Sequence, residues 1–148
     1  MVMFPPEVNY PPDVLSRMSD IDYAFMQHML QAGCPATDTG LSYNQFVQWT
    51  TEHYVEALPD YEVATLPRDG HFSETDQFWI FAPVIEWVLH NGGDWLAVGG
   101  PGVDGISWAL LRNRSGLFAV YPIEERFVPV AANGPDLILK WTSGTLRV

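Results

Sequence analysis

Gly92–Val130 reads GGDWLAVGGPGVDGISWALLRNRSGLFAVYPIEERFVPV, and this stretch decides the fold. Asp94–Val98 predicts a strand, and Gly99–Gly105 a tight glycine loop. Ile106–Arg112 and Gly116–Tyr121 predict a hairpin closed around Asn113-Arg114-Ser115, followed by a further strand at Arg126–Val130. Enrichment in β-branched and aromatic residues between turn residues carries this reading better than strict alternation does.

Upstream, the periodicity changes. Residues 1–13 hold paired prolines at Pro5-Pro6 and Pro11-Pro12, which predict an extended arm with few backbone donors. Ser19 or Asp20 is the expected cap of a helix, IDYAFMQHMLQA, ending at Gly33. Ile21, Phe25 and Met29 share its apolar face, widened by Met26 and Leu30. After a turn at Thr37–Gly40, Ser42 and Gln45 form a capping-box pattern for a second helix to about Ala57. Tyr43, Phe46, Val47, Thr50, Tyr54 and Leu58 make its apolar stripe, with Gln45, Gln48, Glu52 and Glu56 on the wet face.

Pro59–Asp76 reads as an irregular, acidic connection with a short strand at Tyr61–Leu66. Gln77–Ala82 predicts a buried strand, a helix start being the alternative. Pro83 suits a first helical position, so Val84–Asn91 predicts a short helix stopped by Gly92. Asn133-Gly-Pro135 opens a last helix, DLILKW, which Gly144 ends, and Thr145–Val148 predicts a terminal strand. The sum is one α+β domain: an antiparallel sheet of about four to six strands, with helices mostly N-terminal and one C-terminal helix.

At 148 residues the chain can bury a core without disulfide or metal staples. The lone Cys34 excludes an internal disulfide, has no cationic neighbour in AGCPA, and reads as an inert thiol in a reducing compartment. The N-terminus lacks a basic, apolar leader pattern, which predicts a cytoplasmic protein without membrane contact. Net charge is −11, and it is uneven. Residues 1–76 hold twelve acids and two bases, whereas 77–148 hold six acids and five bases. Such a chain repels phosphate and steers basic partners toward its acidic half; solubility alone is the competing explanation.

Gly100, Gly102 and Gly105 match G-x-G-x-x-G, but ISWALL after them predicts a strand where a dinucleotide fingerprint needs a helix. His28, His53, His71 and His90 stand singly, without metal-ligand spacing, so no metal or cofactor is expected. Ser107 and Ser115 lie in no nucleophile elbow. Glu124 and Glu125 are adjacent, and strand neighbours would point to opposite faces, so they are not expected to flank one bond. No catalysis is expected. Among six tryptophans, Trp108 flanks the hairpin with Tyr121, and the two are candidates for an exposed aromatic patch, with core packing as the rival reading.

The order of Trp95-Leu96, Gly99 to Asp104-Gly105, Tyr121-Pro122-Ile123-Glu124, Phe127 and Leu137–Trp141 resembles the C-terminal half of SMI1/KNR4-type (SUKH superfamily) domains. The resemblance implies an α+β binding domain without catalysis. Bacterial members often act as immunity proteins that neutralise a cognate toxin domain, and no fixed interface motif carries over. The leading expectation is an immunity protein, monomeric or homodimeric, that occludes a basic toxin domain. Its acidic surface would comprise Glu52, Glu56, Asp60, Glu62, Asp69, Glu74 and Asp76, with Trp108 and Tyr121 as aromatic anchors. The alternative is a structural or adaptor subunit of a secretion or phage assembly that uses the aromatic hairpin face.

Overall fold

The computed structural model describes residues 22–35, 43–102 and 105–146. The proline-rich arm, the Ser19 or Asp20 cap, Ile21, the turn at 37–40, Ser42 and residues 147–148 lie outside them. Seven antiparallel strands among the described residues build one sheet. These are β1 (His71–Ser73), β2 (Phe78–Phe81), β3 (Val88–His90), β4 (Trp95–Gly99), β5 (Ser107–Leu111), β6 (Leu117–Tyr121) and β7 (Arg126–Ala131). Six lie side by side in the order β1-β2-β4-β5-β6-β7, and β3 also pairs with β4. The expected antiparallel α+β architecture is present. The strands expected between residues 94 and 130 fall within a residue or so of their expected ends.

β4 has β5 on one edge, so β2 and β3 share the other. Phe81 lies opposite Gly99, and Val88 to His90 lie opposite Ala97 to Trp95. The helix expected over 84–91 is therefore a correction. Pro83 starts only one 3-10 turn, Val84–Glu86, before Trp87 returns to extended backbone. Trp87 is fully buried, donates its indole N–H to Ala82 O at 2.9 Å, and meets Tyr54 edge-on at 5.7 Å. Docking this ring and filling the free edge of β4 outweigh a local helix signal only eight residues long.

Adjacent strand residues face opposite sides. Leu96, Val98, Trp108, Leu110, Leu117 and Ala119 join one core with buried residues of the three described helices, which therefore cover a single face. Trp95, Ala109 and Val120 form a smaller cluster on the other face. Helix α1 (Tyr23–Gln31) buries Phe25, Met26 and Met29. Its N-cap is Asp22, later in the chain than expected. The Asp22 carboxylate accepts from Phe25 N at 2.9 Å and from Leu89 N at 3.3 Å, so one side chain caps the helix and ties it to β3. Gly33, at φ +123°, ends the helix as expected, with Cys34 N bonded to Met29 O at 3.0 Å.

Helix α2 (Tyr43–Ala57) buries Phe46, Thr50 and Tyr54 along the expected stripe, and Gln45, Gln48, Glu52 and Glu56 are exposed. No strand forms at 61–66. Val63 N bonds Tyr61 O and Leu66 N bonds Val63 O, so tight turns use these groups locally while Tyr61, Val63 and Leu66 enter the core. Helix α3 (Gly134–Thr142) is capped by Asn133, which accepts from Asp136 N at 2.8 Å. Thr145 and Leu146 bond back to Lys140 O at 3.0 Å, closing the helix where a strand was expected to begin.

Two substitutions test this packing. Thr50 Oγ1 is buried with no hydrogen-bond partner among the described residues, so Thr50→Val should raise stability by about 1 kcal/mol. The check is a higher urea midpoint at unchanged slope; a lower midpoint would show that the hydroxyl is satisfied after all. A Cβ on Gly99 would lie 2.0 Å from Ile80 O, a backbone atom that cannot step aside. Gly99→Ala should therefore cost about 3 kcal/mol, read as a fall in the same midpoint.

Candidate functional site

The seven strands contain no Asp or Glu, so every carboxylate among the described residues sits in a helix, turn or connection. The central strands β4, β5 and β6 are mostly buried, and a carboxylate there would lose hydration. The seven acidic residues singled out above are all exposed. Glu52 and Glu56 lie one turn apart on α2; Asp60, Glu62 and Asp69 lie in the connection to β1; Glu74 and Asp76 lie in the β1–β2 turn. They occupy consecutive parts of the chain and do not converge on one point.

Their surroundings differ. Glu62 accepts from Ser115 Oγ at 3.0 Å and Gly116 N at 3.1 Å, and Asp60 O accepts from Asn113 N at 2.7 Å. The connection is thereby fastened to the β5–β6 hairpin. Asp69 pairs with Arg68 at 3.9 Å, with both side chains exposed. Asp76 accepts from Ser73 Oγ and Trp141 Nε1, each at 2.9 Å. Glu52 takes only a 3.3 Å bond from Gln48 among the described residues.

Trp108 is a correction. It is 0% exposed and meets Trp141 edge-on at 6.1 Å, so it offers nothing to a partner. β5 is central in the sheet, and Trp108 takes the same parity as Leu110, toward the helices. Tyr121 is half-buried, with the Arg126 guanidinium 4.5 Å above its ring. Among the described residues, the exposed large aromatic side chains are Trp79 at 47% and Phe127 at 39%. On the face away from the helices, Trp95 stacks on His90 at 3.9 Å and meets Phe127 edge-on at 6.0 Å. Burial lowers the His90 pKa against the opposing pull of Asp22, which favours the neutral imidazole.

A cleft of about 450 Å³ opens between α1 and the hairpin base, lined by Tyr23, Gln27, His28, Asp60, Tyr61 and Arg112 among others. Arg112 donates to Gly93 O at 3.0 Å and Gly92 O at 2.7 Å, and Tyr61 also donates to Gly93 O. Its guanidinium is thus committed to holding the turn before β4, and Asp60 offsets its charge. No three His, Cys, Asp or Glu side chains among the described residues come together to hold a metal ion. Burial pushes the Cys34 thiol up to about 11, so it is protonated at neutral pH. No helix among the described residues is long and apolar enough to cross a membrane.

Sequence reasoning missed the bond between Asp76 and Trp141. Ser73 and Asp76, three apart, are a local turn signal, and Asp76 N indeed bonds Ser73 Oγ at 3.1 Å. Nothing local points across 65 residues to Trp141.

The motif residues of the resemblance fall on β4, the β4–β5 connection, β6, the β6–β7 turn, β7 and α3, with Asp104 outside the described residues. No family model, curated protein or solved structure matches the chain.

Proposed function

We propose that this chain is a non-catalytic protein-binding domain that holds a basic protein partner, and that it acts as an immunity protein occluding a cognate toxin domain. The observation that carries the reading is the placement of charge. Residues 52–76 expose seven carboxylates against the single Arg68, while the strands carry no carboxylate. Such a run attracts a cationic surface over a Debye length and sets the encounter rate. It also disfavours nucleic acid, whose phosphates it repels.

Charge alone gives little residence time, because exposed ion pairs contribute at most about 1 kcal/mol each. An interface of this kind needs an aromatic anchor as well. Trp79 fits that role: it is half-exposed on β2, beside the turn that bears Glu74 and Asp76. The resemblance over residues 95–141 supports immunity as the specific form of binding. A second reading, a contact between copies or with an assembly, is favoured by Ile123, 91% exposed in the β6–β7 turn near Phe127.

The test starts from a tagged chain used to capture a basic protein from the native host, which is then purified and titrated at about 50 and 200 mM salt. E52K/E56K/E74K should weaken binding about tenfold or more, roughly 1.4 kcal/mol, and flatten the salt dependence. These side chains make no buried contact, so the melting temperature should hold. Unchanged affinity and salt dependence would sink the proposal. A mass that rises with concentration and falls for I123D would move the assignment to the second reading.

A further inference from the structure

A second cleft, of about 280 Å³, lies where the β1–β2 turn meets the C-terminal end of α3. Ser73, Asp76, Trp141, Thr142, Gly144 and Leu146 line it, and Asp76 is the only charged side chain among its lining residues. The volume falls below the usual range for small-molecule pockets and suits one long side chain.

Three features of the cleft share one sign. Asp76 receives both its hydrogen bonds on Oδ2, from Ser73 Oγ and Trp141 Nε1. Both donors are neutral, so neither brings a cation to the carboxylate, and Oδ1 takes no bond among the described residues. α3 points its C-terminal end here, which carries the negative pole of the helix dipole. The cation in its last turn is turned elsewhere: Lys140 Nζ lies 3.2 Å from Asp136 and 3.4 Å from Val130 O. Glu74, two residues from Asp76, adds negative charge to the same turn.

Apolar surface is present too. Trp141 and Leu146 are half-buried and face the cleft. Long basic side chains pair an apolar stem with a charged head, and bury the stem while the head finds a carboxylate. The Trp141 indole is held in place by its bond to Asp76 and by edge contacts with Phe78 at 5.8 Å and Trp108 at 6.1 Å.

We propose that this cleft receives one arginine or lysine side chain of the basic partner, with the head on Asp76 and the α3 C-terminus, and the stem against Trp141 and Leu146. The proposal rests on the basic-partner reading above and assigns it a socket. The Arg112 cleft is the wrong place for such a residue, since the Arg112 guanidinium already takes the Gly92 and Gly93 carbonyls there.

The Trp141 indole N–H donates to the proposed ligand carboxylate, so its NMR resonance reports occupancy. N-acetyl-arginine amide and its neutral isostere N-acetyl-citrulline amide are titrated into the full chain, into D76N and into R147A. D76N keeps a carbonyl acceptor for Ser73 and Trp141. The Trp141 signal should move saturably with the arginine probe. Binding should be about fivefold weaker or absent with citrulline and in D76N, the loss expected for one exposed ion pair. R147A removes the cation next to Leu146 in sequence and should respond like the parent chain.

An equal response to citrulline overturns the proposal even if D76N fails to fold. So does a Trp141 signal that R147A moves without any probe. Arginine-probe shifts confined to α2, with Trp141 silent, would remove the socket and leave the acidic-surface reading standing. A saturable Trp141 response beside a partner complex indifferent to E52K/E56K/E74K would have the opposite meaning.

Discussion

Everything else in this fold depends on how β4 is paired. One edge takes β5 along its length; the other takes two short segments, β2 at the Gly99 end and β3 at the Trp95 end. Between them the chain must leave the sheet and return within a few residues, and Pro83 with one 3-10 turn accomplishes this. Trp87, buried at that excursion, and Asp22, bonded to both α1 and β3, carry the detour into the helical layer. Gly99 is the closest approach, where no Cβ fits against Ile80 O. With that edge filled, the sheet runs on to β1 and so places the Glu74 and Asp76 turn beside α3.

The second half of the sheet was legible because its signals are local. Aromatic and β-branched runs between glycine, asparagine and serine turns predicted β4 to β7, and the helix stripes at Phe46, Thr50 and Tyr54 predicted the buried face of α2. Val84–Glu86 and β3 were misread because Pro83 signals a helix start, while the unpaired edge that overrides it is created by residues later in the chain. The exposure of the acidic run was legible from charge alone, since carboxylates are seldom buried unpaired. Two parts were not. Which acids are tied down, as Glu62 is to the hairpin, depends on contacts more than fifty residues apart in sequence. Trp108 had two readings, and its parity with Leu110 decides for the core.

The same geometry separates two kinds of carboxylate. Glu62 and Asp22 spend their lone pairs on backbone N–H groups and hold the fold together, and Asp136 does so at Ala132 while pairing with Lys140. Glu52, bonded only to its helix neighbour Gln48 among the described residues, stands exposed with Glu56 and Glu74. Asp76 lies between these classes: oriented by two neutral donors, yet unpaired with any cation among the described residues and set beside a helix C-terminus. The bonds that tie it to Ser73 and Trp141 also settle its orientation before any partner arrives, which the proposed binding surface would gain from.

The most direct test of the account is amide hydrogen exchange on the chain alone and in complex with its captured partner. The account predicts new protection over the end of α2, the connection to β1 and the β1–β2 turn, with the β6–β7 turn unchanged. Protection confined to residues 121–127, with 52–76 exchanging as in the free chain, would contradict it.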